Sequence, residues 1–521
     1  MPILIPFLGV AAPIVLLAAA FLAALTPGRR PGHLPRLAEA TAAGAAGLVL
    51  LSALYVWFTG AAVVFLGQGG PVLLRLDAIG TTVALLVGFV GWVVIRYART
   101  YLDGEPREGL FHALTLTVLA AVLVLAQAGN LWLLVLAFLT VGAGLRQLLL
   151  FYHDRPEARR AATKFALVWG AGDLALILAA LLLWRGFGTS DLAAITAEAQ
   201  ISGLPPLGGL AVAGLVLAAL LKTAAFPLHG WLTEVMEAPT PVSALLHAGV
   251  INAGGVMLIK LAPLVQASPG AMAALVMAGG ITALFGAVVM LTQSAVKTAL
   301  AWSTVAQMGF MLLQCGLGLW SLALLHIVAH SLYKAHAFLS SGSAVWAVAS
   351  VHRPGPVAVP GLRAVGRSFL AALFLYVAVA GAFGLMGAPK TPQALALGAM
   401  LIFGVAYLVA QGLADSAPAA LTQRTVIAST FAAVAYFGFH ALAGLAWGAH
   451  LPAAPVPGAL EWGLIVLTVL SFGLVAFAQA LFPLWAHHPA SAGLRVHLAN
   501  GLYLNAVLDR LIGGLRTAQR Q

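Results

Sequence analysis

Charge is what this sequence has least of. Only 8% of its 521 residues are Asp, Glu, Lys or Arg, against about 25% in an ordinary soluble domain. With 62% hydrophobic residues, the chain falls in the membrane class. Cysteine is nearly missing too: Cys315 stands alone inside an apolar run, so there is no intrachain disulfide framework and no CxxC metal or redox pair. A basic leader is absent from Met1 to Val10, and the first apolar run is expected to stay as a helix. Sustained alternation of apolar and polar residues is absent, which argues against a β-barrel. No polar stretch is long enough for a soluble domain. The net charge of +11 does not point to nucleic acid, because the arginines are spread over short loops between apolar runs, where membrane orientation requires them.

What is present is a series of about 15 apolar segments, each long enough to cross a hydrocarbon core of about 30 Å as a helix. They are expected at 3–25, 41–66, 78–96, 110–128, 131–151, 164–186, 206–226, 241–264, 271–291, 297–316, 319–345, 368–387, 393–412, 425–447 and 459–484. The basic residues are a check on this series. Arg29, Arg30 and Arg36, then Arg96, Arg99 and Arg107, then Arg155, Arg159, Arg160 and Lys164 fall in alternate loops, followed by Arg353, Arg363, Arg367, Arg424 and the tail arginines. Alternating helices put them all on one side, so the N-terminus is expected outside and the tail in the cytoplasm of a bacterial inner membrane. The tail from Val496 to Arg516 reads as a short amphipathic helix, either a plain terminus or a docking element.

An ionisable residue inside a membrane segment costs several kcal/mol or more and is a functional candidate by default. Lys222 lies late in the seventh segment, in Lys222-Thr223-Ala224-Ala225-Phe226-Pro227-Leu228-His229. Pro227 is expected to break the helix, and transporters place ion sites at such breaks. Burial penalises the ammonium charge, which lets such a lysine release a proton as well as hold one. Glu237, Pro239 and Pro241 precede the eighth segment, where Pro near a helix start is favoured, and put His247 about two turns in. Histidine titrates near neutral pH and can relay a proton. His326, His330 and Lys334 are spaced i, i+4, i+8, one helix face at intervals of about 6 Å. Ser331 and Ser340 are near in sequence. Lys297, followed by Ser303, Thr304 and Gln307, either extends a relay or anchors a helix end. Asp173, mid-segment, needs a cation or a proton, and Arg146 is a candidate partner. Lys390, between Pro389 and Pro392, is either a loop charge or part of a second interruption.

These residues together resemble a known family. Lys222, Phe226-Pro227-Leu228-His229, Trp231-Leu232, Met236-Glu237, Pro239-Thr240-Pro241-Val242-Ser243-Ala244-Leu245, His247, Lys297, Ala301-Trp302-Ser303-Thr304, Gln307-Met308-Gly309, His330, Lys334 and Phe338-Leu339 are similar to the antiporter-like subunits of respiratory complex I and of multi-subunit cation/proton antiporters. Weaker matches run from Asp77 through Asn130 to Gly172-Asp173. The resemblance implies an all-α polytopic membrane protein with two inverted five-helix repeats and broken helices. It divides the chain into N-terminal helices at 1–109, a first repeat at 110–265, a second at 266–415, and C-terminal helices with a cytoplasmic tail at 416–521. It also implies a proton path through Lys222, His247 and Lys334.

The departures from the family are specific. The fifth-helix glutamate that usually pairs with the Lys222 position is absent from Leu136 to Gln147, and the usual acid two residues before Lys297 is Ala295. The chain also ends near 521 without the long lateral helix of complex I. The membrane subunits of DAB inorganic-carbon accumulation complexes share these traits. They also resemble this chain at Phe151-Tyr152-His153-Asp154-Arg155-Pro156, Leu246-His247, Asn252, Gly254-Gly255 and Asn500-Gly501. That resemblance implies a large peripheral cytoplasmic partner, a zinc protein like a β-carbonic anhydrase (DabA), and proton or sodium flow that energises carbon accumulation. This chain has no Cys/His zinc cluster in its sequence, so no cofactor is expected in it and zinc is expected in the partner. Two other functions stay open: an antiporter module of a respiratory or multi-subunit antiporter complex, and a structural anchor without flux. Nothing in the sequence resembles a haem, flavin or iron–sulfur motif.

Overall fold

A computed structural model describes residues 6–67, 70–343, 361–385, 390–412, 419–481, 485 and 488–511. Apolar runs fold into helices wherever the backbone must satisfy its own hydrogen bonds, as it must in lipid. The N-terminal helices are α1 (Pro6–Ala24), α2 (Leu34–Thr59) and α3 (Ala78–Tyr101). There follow α4 (Glu108–Gln127), α5 (Leu131–Leu149), α6 (Pro156–Phe187), α7 (Leu192–Ser202) and α8 (Gly208–Lys222). Short elements come next: α9 (Gly230–Glu234), α10 (Thr240–Ala248), α11 (Ala253–Lys260) and α12 (Ala262–Gln266). Then come α13 (Pro269–Met290), α14 (Val296–Gly316), α15 (Trp320–Leu339), α16 (Leu362–Leu385), α17 (Pro392–Gly412), α18 (Ala419–Trp447) and α19 (Ala459–Ala480). The tail forms α20 (Ala492–Ala499) and α21 (Leu504–Leu511).

Eleven helices among the described residues are long and apolar enough to cross a membrane, and three shorter apolar ones accompany them. The protein is a multi-pass membrane protein. The more polar α14, which carries Lys297, Ser303, Thr304 and Gln307, is a helix but is not one of these apolar helices. Two expectations are corrected. The second segment does not run to 66: α2 stops at Thr59, and a hairpin pairs β1 (Ala62–Phe65) antiparallel with β2 (Val72–Leu76). Gly60, Gly67 and Gly70 are the turn signals that were there to be read. The tail is not one helix, because Leu502 and Tyr503 take positive φ between α20 and α21. Residues 512–521, Arg353 and Pro389 lie outside the described residues.

The first three basic loops lie together. Arg30 pairs with Asp103 at 3.2 Å, joining the first loop to the third. Arg107 donates to the carbonyls of Leu150 and Phe151 at the end of α5, joining the third to the fifth. The hairpin and the caps of α5 and α7 lie together elsewhere: Asn130 accepts from the Leu133 amide and donates to Val72, and Asp191 caps α7. Such caps satisfy the free amides at helix starts.

Helices α13 and α14 make the closest packing. A Cβ on Gly309 would stand 2.4 Å from the Ala283 amide, and one on Gly279 would stand 2.5 Å from the Leu313 amide. Small residues let membrane helices approach to backbone contact. We expect Gly309→Leu to lower the amount of folded subunit in membranes several-fold, read by immunoblot of a tagged chain. Gly280→Leu on α13, where a Cβ meets nothing within 4 Å, should leave it unchanged.

Candidate ion pathway in the membrane

Helix α8 ends at Lys222. Ala224 takes φ +53, and the Ala225 amide donates back to the Leu220 carbonyl at 3.0 Å, the hydrogen bond of a Schellman stop. The break expected at Pro227 therefore begins three residues earlier, at the left-handed turn of Ala224. Lys222 is fully buried at this stop. Its ammonium pairs with Asp173 of α6. It also lies 4.1 Å from the Trp169 ring and 4.8 Å from the Phe138 ring, positions where a cation is attracted to the π face. Gly172 makes the pairing fit, since its Cβ position is 3.3 Å from Lys222 Cγ. The acid missing from the fifth helix is thus supplied by the sixth. Arg146 is corrected: it is exposed on α5 and is not the partner of Asp173.

A second group forms where α10, α14 and α15 meet. His247, fully buried, holds Thr304 Oγ1 at 3.1 Å through Nδ1 and stacks on Phe338 with centroids 4.4 Å apart. Lys334 is also fully buried and donates to the Leu300 carbonyl at 2.9 Å and to Ser303 Oγ. The Leu300 carbonyl is the junction. It faces three donors, Ser303, Thr304 and Lys334, with two lone pairs to offer. Thr304 Oγ1 thus lies between the Leu300 carbonyl and His247. Lys334 has no carboxylate partner among the described residues.

His326 and His330 continue from Lys334 along α15, with rings 5.9 Å apart. With Ser303, Gln307 and Lys334 they line a cavity of about 660 Å³ between α14, α15, α17 and α18. His326 Nδ1 contacts Gln314 Oε1 at 2.8 Å, while His247 Nε2, His326 Nε2 and His330 Nε2 are buried without a hydrogen-bond partner among the described residues. Buried polar atoms are nearly always satisfied; the cavity wall is mostly apolar, and Ser303, Gln307, Gln314, His326, His330 and Lys334 are among its polar groups. Asn252, in the turn between α10 and α11, donates to Ser331 Oγ at 3.0 Å. Ser340 instead donates to the His336 carbonyl of its own helix.

The other expected residues lie apart from these two groups. Lys297 is half-buried in the first turn of α14, away from the cavity lining. Pro239 and Pro241 start α10 as expected. Glu237 is corrected: it is 42% exposed, 3.6 Å from Arg155 at the loop surface, and lines neither group. Lys390 lies before α17, close enough to His440 of α18 for their charges to interact. Among the described residues, no hydrogen bond joins Lys222 to His247.

Sequence reasoning missed one cluster. Lys164, expected as a loop charge, is fully buried and pairs with both Glu234 and Asp509. Pro156 at the start of α6 is the signal that could have found it, since it places Lys164 two turns inside the helix.

The pattern of the NADH:quinone oxidoreductase/Mrp antiporter transmembrane family matches residues 128–423, which span both groups. The "Probable inorganic carbon transporter subunit DabB2" of Halothiobacillus neapolitanus is 37% identical over 494 residues, 90% of this chain and 87% of the relative. The "Probable inorganic carbon transporter subunit DabB" of Hydrogenovibrio crunogenus is 44% identical over 262 residues, 50% of this chain and 51% of the relative. Among solved structures, the Mrp complex from Dietzia sp. superposes with a TM-score of 0.66 at 23% identity, covering 98% of this chain and 60% of that one; this likeness concerns the fold alone. The chain belongs to the NADH:quinone oxidoreductase/Mrp antiporter transmembrane family, on the branch of the DabB inorganic carbon transporter subunits.

Proposed function

We propose that this chain conducts protons, or sodium ions, across a bacterial inner membrane and thereby energises the accumulation of CO2 or bicarbonate by a peripheral partner. The carrying observation is Lys334: fully buried, hydrogen-bonded only to neutral oxygens, and on the wall of a cavity shared with His326 and His330. An ammonium in that setting has little to hold it there except traffic of charge. Ions would pass between the Asp173–Lys222 pair and the His247–Lys334 group, then through His330 and His326 to the cavity. The first three basic loops, which lie together, support an N-terminus outside and a tail in the cytoplasm. On this reading the partner is a large cytoplasmic zinc protein resembling a β-carbonic anhydrase, and the zinc is the partner's. The second reading, a proton-pumping subunit of a respiratory quinone oxidoreductase or a multi-subunit Na+/H+ antiporter, rests on the family pattern over 128–423.

Gentle-detergent purification from native membranes, with mass spectrometry and zinc analysis, separates the two. We expect one large soluble zinc-containing protein in stoichiometric amount. A set of small membrane subunits with quinone-oxidoreductase or antiporter sequences would overturn this reading in favour of the second.

A further inference from the structure

The ion path as described begins at Asp173 and Lys222, yet α6 carries another buried charge group at a different level. Lys164 precedes Asp173 by nine residues, about 13 Å along a helix axis. Its ammonium has three protons to donate, and three acceptors surround it: Glu234 on α9, and Asn505 and Asp509 on α21. Asn505 Oδ1 is 2.7 Å and Asp509 Oδ1 is 2.6 Å from Lys164 Nζ. Asn505 also donates its amide to Glu234 Oε1. Gly230 is what allows this, because any Cβ there would stand 2.2 Å from Asn505 Oδ1.

Lys164 hydrogen-bonds to Glu234 and Asn505 and makes an ion pair with Asp509, and two carboxylate oxygens are left over. Glu234 Oε2 and Asp509 Oδ1 are buried with no hydrogen-bond partner among the described residues. The charges do not balance either: two carboxylates face one ammonium. Arg160, one turn earlier on α6, has no ion-pair partner among the described residues, and its Nε is itself buried without a partner. The other charged side chains on the elements around the site are Glu157 and Arg159 on α6, Lys297 on α14, Arg510 on α21, and Glu237, which Arg155 already faces. A buried group with surplus negative charge and an unfilled carboxylate oxygen is stabilised by taking up a positive charge there. One proton on either carboxylate restores the charge balance; a metal cation would require several oxygen ligands.

We propose that Lys164, Glu234 and Asp509 form a second proton-exchange site, holding one proton on the Glu234–Asp509 carboxylate pair, and that the site is complete only while the C-terminal helix is docked. The exchange makes and breaks one O–H bond and nothing else. Resting on the conduction reading above, the site passes protons between the side of the basic loops and Lys222. It also gives the tail a role: a partner that lifts α21 removes Asp509, leaves Lys164 and Glu234 as a balanced pair, and releases the proton.

The test uses the whole complex in native membrane vesicles. Infrared difference spectra across a pH step should show a protonated-carboxyl C=O band. Glu234→Gln should remove it because Asp509 alone then balances Lys164. Asp509→Asn should remove it too, although Glu234 is intact, because one carboxylate then balances one ammonium. Proton flux should fall at least ten-fold in both, with subunit assembly unchanged. If Glu234→Gln fails to assemble, Asp509→Asn alone carries the decision. An unchanged band in Asp509→Asn would overturn the proposal. Lys334→Ala keeps the two readings apart: loss of flux there with the band and flux intact in Asp509→Asn rejects this site only, whereas undiminished flux in Lys334→Ala rejects the conduction reading.

Discussion

Lys334→Ala vesicles pass no measurable ion current and accumulate no inorganic carbon above background, while the complex assembles at wild-type level; that is the largest effect we expect. The reason is local. Lys334 makes its hydrogen bonds to the Leu300 carbonyl and to Ser303, both of which keep other partners when it is removed. Ser303 and Thr304 each also donate to Leu300 at 2.9 and 3.0 Å. No carboxylate is stranded by the substitution, and the lost side chain faces a cavity of about 660 Å³ instead of a packed core. Structural loss is therefore small, and functional loss is that of the group connecting His247 to His330. Lys334→Arg is the sharper variant. It keeps the charge but does not release its proton, so it should be as inactive as alanine. Carbon accumulation by the arginine variant at more than a tenth of the wild-type rate would reject Lys334 as a proton carrier.

The second large effect concerns Asp173 and Lys222. Removing one member of a buried ion pair strands the other and costs about 3–5 kcal/mol. Asp173→Leu should therefore reduce the folded subunit in membranes many-fold, since Lys222 is left with only the Trp169 and Phe138 rings. Lys222→Leu should do the same through the stranded Asp173. The double variant Asp173→Leu with Lys222→Leu removes both charges and should recover folded subunit to near the wild-type amount, because replacing a buried pair by apolar groups is often neutral. It should still conduct nothing. Recovery of protein without recovery of flux separates the structural part of this pair from its transport part. A double variant that both folds and conducts would show that ions do not pass through this pair.

The same contrast between pair and path explains how far the residues could be read in order. Helices were legible because lipid forbids unsatisfied backbone, and runs such as 78–96 or 271–291 have no other way to bury their amides. The shared face of His326, His330 and Lys334 was legible because helix geometry is local, and all three line one cavity. The stop after Lys222 was legible in kind but not in place, since Ala224, not Pro227, takes the left-handed turn. Glu237 misled for a similar reason. Two acids three residues apart, Glu234 and Glu237, look equivalent in the chain, but the position of α6 pairs one with Lys164 at 20% exposure and leaves the other 42% exposed.

By itself, then, the sequence determined the membrane class, the helical segments, and which rare ionisable residues had to be explained, because hydropathy and helix periodicity act over neighbouring residues. Only the tertiary structure decided who pairs with whom: Asp173 with Lys222 instead of Arg146, Thr304 with His247, and the tail's Asp509 with Lys164 across most of the chain's length. Those pairings depend on which helices pack side by side, and an ion pair in a medium of low dielectric is set by distances of a few ångströms that no local pattern encodes.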